Sequence, residues 1–384
     1  MSSAAGPRSA LHSVRFEGAE DFIDEVRAYD TPFMSFTLGM VMDYVSHPTS
    51  SKDPSSTPKV PSDKGTYHAI FDIDNRLISV LVQTPARPAH ILGYPSPPPP
   101  PTLSAACALL AKAISPSSLR RQIGGPRDAV QAFLSALPDV QTSRKTFSSI
   151  ACSASLRTLP VSPLPGKAGG SRTAGPLQRY TIRSARPEDA PGVLPLVRQF
   201  SAFTSTGPSP DETVLADMRA AAAARMLYAI YAEEEVGEHA AGHAVLGARS
   251  SEGKRAWREE GNIAGYLLLG FATPRAVVIR HVFVHPEHRK RGLAERIVRA
   301  VTRACLGASP EPELDPDANG SVSVQFVADT PGCGVKSAVC LFYNDPGAAR
   351  VYRRCGFVVG EDARDPVSGE SLCYAYELRD IVTP

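Results

Sequence analysis

"HPEHRKRGLAERIV", His285 to Val298, is the stretch that decides how this sequence is read. The apolar run "AVVIRHVFV" (276–284) precedes it and reads as a strand, and an amphipathic segment continuing to about Leu306 reads as a helix. Pro286 cannot donate to a sheet ladder, so the strand ends by Val284. From Arg289 to Ala294 the chain then offers successive N–H groups at a helix N-terminus, where up to four donors have no intrahelical partner and the macrodipole is positive. Gly292 lets the main chain approach a ligand, Ala294 is small enough to keep that approach open, and Arg289, Lys290 and Arg291 add positive charge. Such a turn suits a pyrophosphate. The plainer alternative is a solvated, basic helix start.

Working outward, the chain from 179 onward alternates strands and helices. "YTIRSA" reads as a strand, and the acidic, proline-containing start of "RPEDAPGVLPLVRQFSAF" as a helix N-terminus. A helix in "SPDETVLADMRAAAAARM" leads to a strand "LYAIYAE", a polar insertion near 234–261, and the strand "IAGYLLLGFAT". Beyond the quoted stretch, the acidic loop "ASPEPELDPDANG" leads to a strand "SVSVQFVAD", a helix from about Asp345 to Cys355, and closing strands. The alternation predicts an α/β domain with a mixed sheet.

A second stretch, "YNDPGAARVYRRCGF" (Tyr343 to Phe357), bears on the first. The pattern R-x-x-G-x-A at Arg289, Gly292 and Ala294, after an apolar strand, resembles the acetyl-CoA-binding motif of the GNAT N-acetyltransferase superfamily. Asn344, Ala349, Tyr352, Gly356 and Phe357 resemble that family's later segment in type and spacing. The resemblance spans roughly Tyr180 to Arg379. It implies an α/β (α+β) GNAT fold, with a mixed, centrally splayed β-sheet flanked by helices.

The resemblance also implies a site. The main chain of Val282, Phe283 and Val284 would bind the pantetheine arm and acyl carbonyl. The loop Arg289, Lys290, Arg291, Gly292, Leu293, Ala294 and Glu295 would hold the pyrophosphate of acetyl-CoA, and Asn344 would line the cofactor or the splayed strand. Tyr352 would be the general acid toward the departing thiolate, a role a phenol fills across a hydrogen bond; its bland alternative is a core aromatic sharing a helix face with Ala348 and Ala349. The implied reaction is direct attack of a primary amine, with no covalent enzyme intermediate and an oxyanion held by main-chain N–H near Val282. Many family members carry a carboxylate within this strand, and "AVVIRHVFV" has none. His281, His285 and Glu233 stand as alternative bases. The acidic run Glu311 to Asp317 could attract a cationic amine or be solvated chain. The expected function is acetyl transfer to a primary amine, for preference a small molecule. Transfer of another acyl group to an amino acid, and non-catalytic acetyl-CoA binding, remain as alternatives.

At 384 residues the chain has room for two domains, at roughly 150 residues each. "VSPLPGKAGGSRTAGPLQ" (161–178) reads as a linker, and Ser46 to Gly65 and "YPSPPPPPT" (Tyr94 to Thr102) as loops. The expected organisation is a domain over 1–160, the linker, and an acetyltransferase domain over 179–384. In the first half, helical "AEDFIDEVRAY" and "PFMSFTLGMVMDYV" precede strands "YHAIFDID" and "RLISVLVQT" around a turn at Asp74-Asn75. Helical "LSAACALLAKAI" and then "IGGPRDAVQAFLSAL" (123–137) follow. This last stretch lacks the R-x-x-G-x-A spacing, and the first half loosely resembles a degenerate, GNAT-like domain ahead of an active one. Hydrophobic residues make up 43% and charged residues 21%, ordinary for a globular chain, and the net charge of +2 gives no pull toward nucleic acid or anionic membrane. The seven scattered cysteines form no CxxC pair, so no metal is expected and the thiols read as reduced. With no signal-like or membrane-spanning apolar run, the expected compartment is the cytoplasm, with the nucleus open as well. Oligomeric state stays open.

Overall fold

The computed structural model describes residues 11–46, 65–85, 87–93, 99–115, 119, 122–137, 140–160, 178–202, 209–235, 257–258, 262–310, 322–360 and 363–382. The element order is β1 (His12–Arg15), α1 (Ala19–Val26), α2 (Leu38–Ser46), β2 (Thr66–Phe71), β3 (Leu77–Gln83), β4 (Ala89–Gly93), α3 (Pro100–Ala113), β5 (Gln122–Pro126), α4 (Arg127–Ser135) and β6 (Gln141–Ala154). It continues with β7 (Gln178–Ser184), α5 (Ala190–Ser201), α6 (Asp211–Ala223), β8 (Leu227–Glu235), β9 (Trp257–Arg258), β10 (Ile263–Gly270), β11 (Ala276–Val284) and α7 (Leu293–Cys305), and ends with β12 (Val322–Phe326), β13 (Ala338–Tyr343), α8 (Pro346–Arg354) and β14 (Cys373–Val382). The chain divides into two compact units: Met1–Leu159 with Leu269–Arg280 and Lys336–Pro384, and Pro160–Leu268 with His281–Val335.

The first unit is built on the strand order β1-β2-β3-β4-β5-β14-β6-β13-β11. β1 to β4 form an antiparallel meander, whereas β4 with β5 and β13 with β11 run parallel. Its β2–β3 hairpin turns where Asp72 Oδ1 accepts the N–H groups of Asp74 and Arg76, both at 2.9 Å, and Asn75 takes φ of 56°. Successive strand residues bury opposite faces. Ala69, Phe71, Val80 and Val82 join a core with Phe22, Met34 and Leu38, while Ile70, Leu81 and Ile91 join Leu103, Leu110 and Phe133 of α3 and α4. Each fully buried Val, Leu, Ile, Phe or Met among them contributes about 1.5–3 kcal/mol. Two-sided burial explains why these strands are nearly continuous apolar runs. α3 begins inside the proline tract, because Pro100 at its first position needs no N–H there; the expected loop therefore stops short of Thr102, and residues 94–98 lie outside the described residues.

The most telling feature of this unit is β14. It lies between β5 and β6, pairing antiparallel with both, and β6 in turn pairs with β13. A bidentate ion pair from Arg275 to Glu370, at 2.9 and 2.7 Å, fixes the turn before β11, and the Arg275 N–H donates to Asp30 at 2.9 Å.

The second unit has the order β10-β8-β7-β12, with β9 on β8; β7, β8 and β10 are antiparallel and β12 is parallel to β7. Val193 and Leu196 of α5 pack on Leu227, Tyr231, Tyr266 and Phe283. α7 buries Leu293, Ile297, Val298, Val301 and Cys305 at helical spacing. The mixed sheets flanked by helices are the α/β architecture expected from the sequence. β1, β4, β5, β6, β9 and β13 are strands that the sequence reading did not assign. The linker at 161–177 and the acidic run at 311–317 lie outside the described residues, as do most of the loop after Ser46 and of the polar insertion after Glu235. Among the described residues no helix is long and apolar enough to cross a membrane.

Candidate functional site

The junction between β11 and α7 is built as the sequence suggests and held by bonds the sequence does not show. The His285 N–H donates to the carbonyl of Ala264 at 2.8 Å, and Pro286 to His288 make a single 3-10 turn. The chain then passes through Lys290 with φ of 63° and Gly292 with φ of 73° and ψ of 4°, both left-handed. Gly292 is the residue capping α7, and no side chain caps that terminus. A Cβ on Gly292 would meet nothing within 4 Å, so backbone conformation, not crowding from the protein, demands glycine. The space beside its Cα is open, and the first turn of α7 presents N–H groups with no intrahelical acceptor.

The arginines are engaged locally. Arg289 Nε donates to the carbonyl of Val284 at 3.0 Å, and its guanidinium lies 5.2 Å from the Phe283 ring centroid. Arg291 turns toward β7, where Nη1 bonds the Gln178 amide oxygen and the Tyr180 hydroxyl and lies 3.3 Å from His288 Nδ1. The Tyr180 hydroxyl sits 2.8 Å from the Gln178 oxygen and 3.1 Å from His288 Nδ1. Burial, and then the Arg291 charge, holds the His288 imidazole below its ordinary 6.5. Lys290 is exposed. His288, Tyr180 and Gln178 were not among the sequence candidates. His288 lies in the opening stretch, but strand residues more than a hundred positions away left no local signal.

β11 carries the next part. Its parallel ladder with β13 pairs Ala276 to Ile279 with Ala338 to Leu341 and ends there, although β11 runs on to Val284 and β13 to Tyr343. Val282, Phe283 and Val284 therefore lie past the ladder's end. Close to Phe283, β10 has an irregular register at Ile263/Gly265, and a Cβ on Gly265 would come within 2.7 Å of the Phe283 carbonyl. Of the proposed bases, His281 Nδ1 is 3.4 Å from the Tyr266 hydroxyl and its ring 4.5 Å from that of Phe200. His285 Nδ1 lies 3.9 Å from Glu287, and Glu233 accepts a bond from Thr181 Oγ1 at 2.6 Å.

Asn344 and Tyr352 belong to the first unit. Asp345 caps α8 by accepting the Ala348 N–H at 2.7 Å, and Gly356 ends the helix region at φ of 96° against Thr158 and Leu159. Tyr352 lies between Tyr343 and Phe357, at centroid distances of 6.2 and 5.9 Å. Burial, with the Cys152 and Cys355 thiols adding to it, pushes its phenol well above the ordinary range. Asn344 is exposed. The glycines of β5 differ from Gly292: a Cβ on Gly124 would strike the Tyr376 hydroxyl and one on Gly125 the Ile91 carbonyl, and β5 passes into α4 with no residue between. Among the described residues no three metal-ligating side chains cluster.

Residues 252–359 match a family model described as "Acetyltransferase (GNAT) domain". No curated relative matches the sequence. Among solved structures, the chain is similar to a tandem GNAT protein from the clavulanic acid biosynthesis pathway, with 13% identity, a TM-score of 0.41, and coverage of 97% of this chain and 98% of that one. A GCN5-related N-acetyltransferase from Sphaerobacter thermophilus gives 13% identity, a TM-score of 0.43, and 97% and 96% coverage. An aminoglycoside N-acetyltransferase in complex with CoA gives 16% identity, a TM-score of 0.27, and 49% and 93% coverage.

Proposed function

We propose that this chain, which carries a GNAT acetyltransferase domain over residues 252–359, is an acetyl-CoA-dependent N-acetyltransferase acting on a primary amine. The observation that carries the reading is the β11–α7 junction: a left-handed, uncapped helix start with open space at Gly292. Those features fit a diphosphate, which accepts several backbone N–H bonds at once and favours the positive end of a helix. The β11–β13 ladder ends at Ile279, and in this reading the main chain of Val282, Phe283 and Val284 beyond it would bind the pantetheine arm and the thioester carbonyl.

The neutral amine attacks that carbonyl. A C–N bond forms, the oxygen takes up negative charge against a main-chain N–H, the nitrogen, now cationic, gives a proton to a base or to water, and collapse of the tetrahedral species breaks the C–S bond. Tyr352 is assigned to the departing sulfur. Because burial raises its phenol, the hydroxyl stays protonated throughout the neutral range and acts as a hydrogen-bond donor to the developing thiolate. His281 is the proposed base closest in sequence to Val282, being next to it on β11.

Incubation with isotope-labelled acetyl-CoA and a panel of small-molecule amines, with CoA release as the readout, tests the reading. Label on an amine, with stoichiometric CoA, is the expected result. Protein that neither binds acetyl-CoA in calorimetry nor releases CoA would overturn it.

A further inference from the structure

We propose that His288 and Tyr180 tether Arg291 to β7 until a diphosphate takes it, so that cofactor binding draws a proton onto His288. This deepens the acetyl-CoA reading and rests on it. Arg291 is a donor only, since a guanidinium is never deprotonated in a protein. Its Nη1 directs its two hydrogens at the Gln178 and Tyr180 oxygens and lies 3.3 Å from His288 Nδ1; a hydrogen on Nδ1 would face that guanidinium, so the neutral ring is assigned its hydrogen on Nε2. Tyr180 is 1% exposed, and its hydroxyl has one hydrogen, which the Gln178 oxygen takes at 2.8 Å. The Tyr180 oxygen is left to accept, and Arg291 occupies it.

Protonation reverses the arrangement. A proton on Nδ1 turns that nitrogen into a donor pointing at a guanidinium, which is repulsive. At 3.1 Å from the Tyr180 oxygen it becomes instead a competitor for the acceptor Arg291 now uses. One oxygen therefore serves either Arg291 or protonated His288. A diphosphate at the adjacent Gly292 turn is a stronger acceptor for Arg291 than a phenol oxygen. Drawing the arginine away removes a positive neighbour from His288 and brings in negative charge, and both changes favour the imidazolium.

The other groups facing His288 are known. His285, with its ring centroid 6.0 Å away, disfavours the charge and Glu287 favours it, while β7 contributes the uncharged Tyr180 and Gln178. In the unliganded protein burial and Arg291 keep the imidazole below 6.5, which sets the lower end of the pH window. Since the liganded protein binds more protons, affinity rises as pH falls through the window between the free and bound values.

Calorimetric titration of the full chain with CoA, in buffers of differing ionisation enthalpy from about pH 5.5 to about pH 8, reads the proton uptake directly. The expected result is uptake approaching about one proton per CoA inside the window, with affinity climbing by up to about tenfold per pH unit. In H288Q the amide oxygen still faces the Arg291 guanidinium but cannot take a proton. It should bind CoA with that uptake missing, while titration of the CoA phosphates cancels between the two proteins. Y180F removes the contested oxygen, and should bind CoA more tightly than wild type at pH near 8, with a shallower pH slope. Equal uptake in wild type and H288Q, or CoA binding that is flat with pH in wild type, would overturn the tether. No CoA binding by wild type would instead sink the acetyltransferase reading, and this inference with it.

Discussion

At Gly292 two requirements meet in one residue: a left-handed backbone, and an empty space where a side chain would stand. Alanine meets the second requirement poorly and the first at a cost of about 1–2 kcal/mol, and valine fails both. G292V is expected to abolish CoA binding in calorimetry while circular dichroism shows the fold retained, and G292A to weaken binding without eliminating it. Y352F should leave CoA affinity within about twofold and lower kcat by about 10²-fold or more, as for loss of a proton donor. Full turnover in Y352F would remove Tyr352 from the chemistry and return it to the packing between Tyr343 and Phe357. Gly292, Ala294 and Tyr352 were legible because each sits in a local spacing. His288 could be seen but not understood, since its meaning depends on Tyr180 and Gln178 from a strand brought alongside by folding.

The elements divide along similar lines. α7 was readable because Leu293, Ile297, Val298 and Val301 recur at helical spacing, and α8 because Asp345 and Pro346 announce its start. D345A removes the bond to the Ala348 N–H and should lower stability by about 1 kcal/mol in urea denaturation. If α8 carries the acid, that variant should also lower kcat more than it raises KM, through looser placement of Tyr352. β13, "AVCLFY", escaped the sequence reading for a physical reason: a strand buried on both faces has no alternation to detect. β4 is short and follows a proline, and the exposed β1 has almost no apolar pattern at all.

At the scale of the whole molecule, the first unit holds two histidines in states that water would not give them. His68 is 2% exposed, its Nδ1 is buried without a hydrogen-bond partner, and burial, then the Arg15 charge, lowers it to about 4. Burial likewise lowers His90, bonded to the Tyr376 hydroxyl at 3.0 Å, to about 4. The folded values lie below the ordinary 6.5, so the stabilisation is complete above 6.5 and is lost as pH falls toward about 4. By pH 5 the loss from His68 is about 2 kcal/mol. The urea midpoint of this unit should therefore drop between pH 7 and pH 5, and H68L should flatten that drop. What periodicity could never disclose is which strands pair, because β14 meets β5 and β6 by contacts that no local pattern encodes. Deleting 373–382 should expose both neighbours, which proteolysis would register as new cleavage within 122–154.

That interleaved strand also sets an order of events during synthesis. Gln122 and Asp380 bond at 2.9 Å although 258 positions separate them. A ribosome that has finished β5 and β6 has not begun β14, so until residues 373–382 emerge the two strands lack a partner each, edges of the kind that recruit other chains. Residues 122–154, made well before 373–382, are thus completed only when those residues arrive. A premature stop far downstream would be felt as a misfolding lesion upstream, and demand for chaperones should track how long the ribosome takes to travel from Ala154 to Cys373.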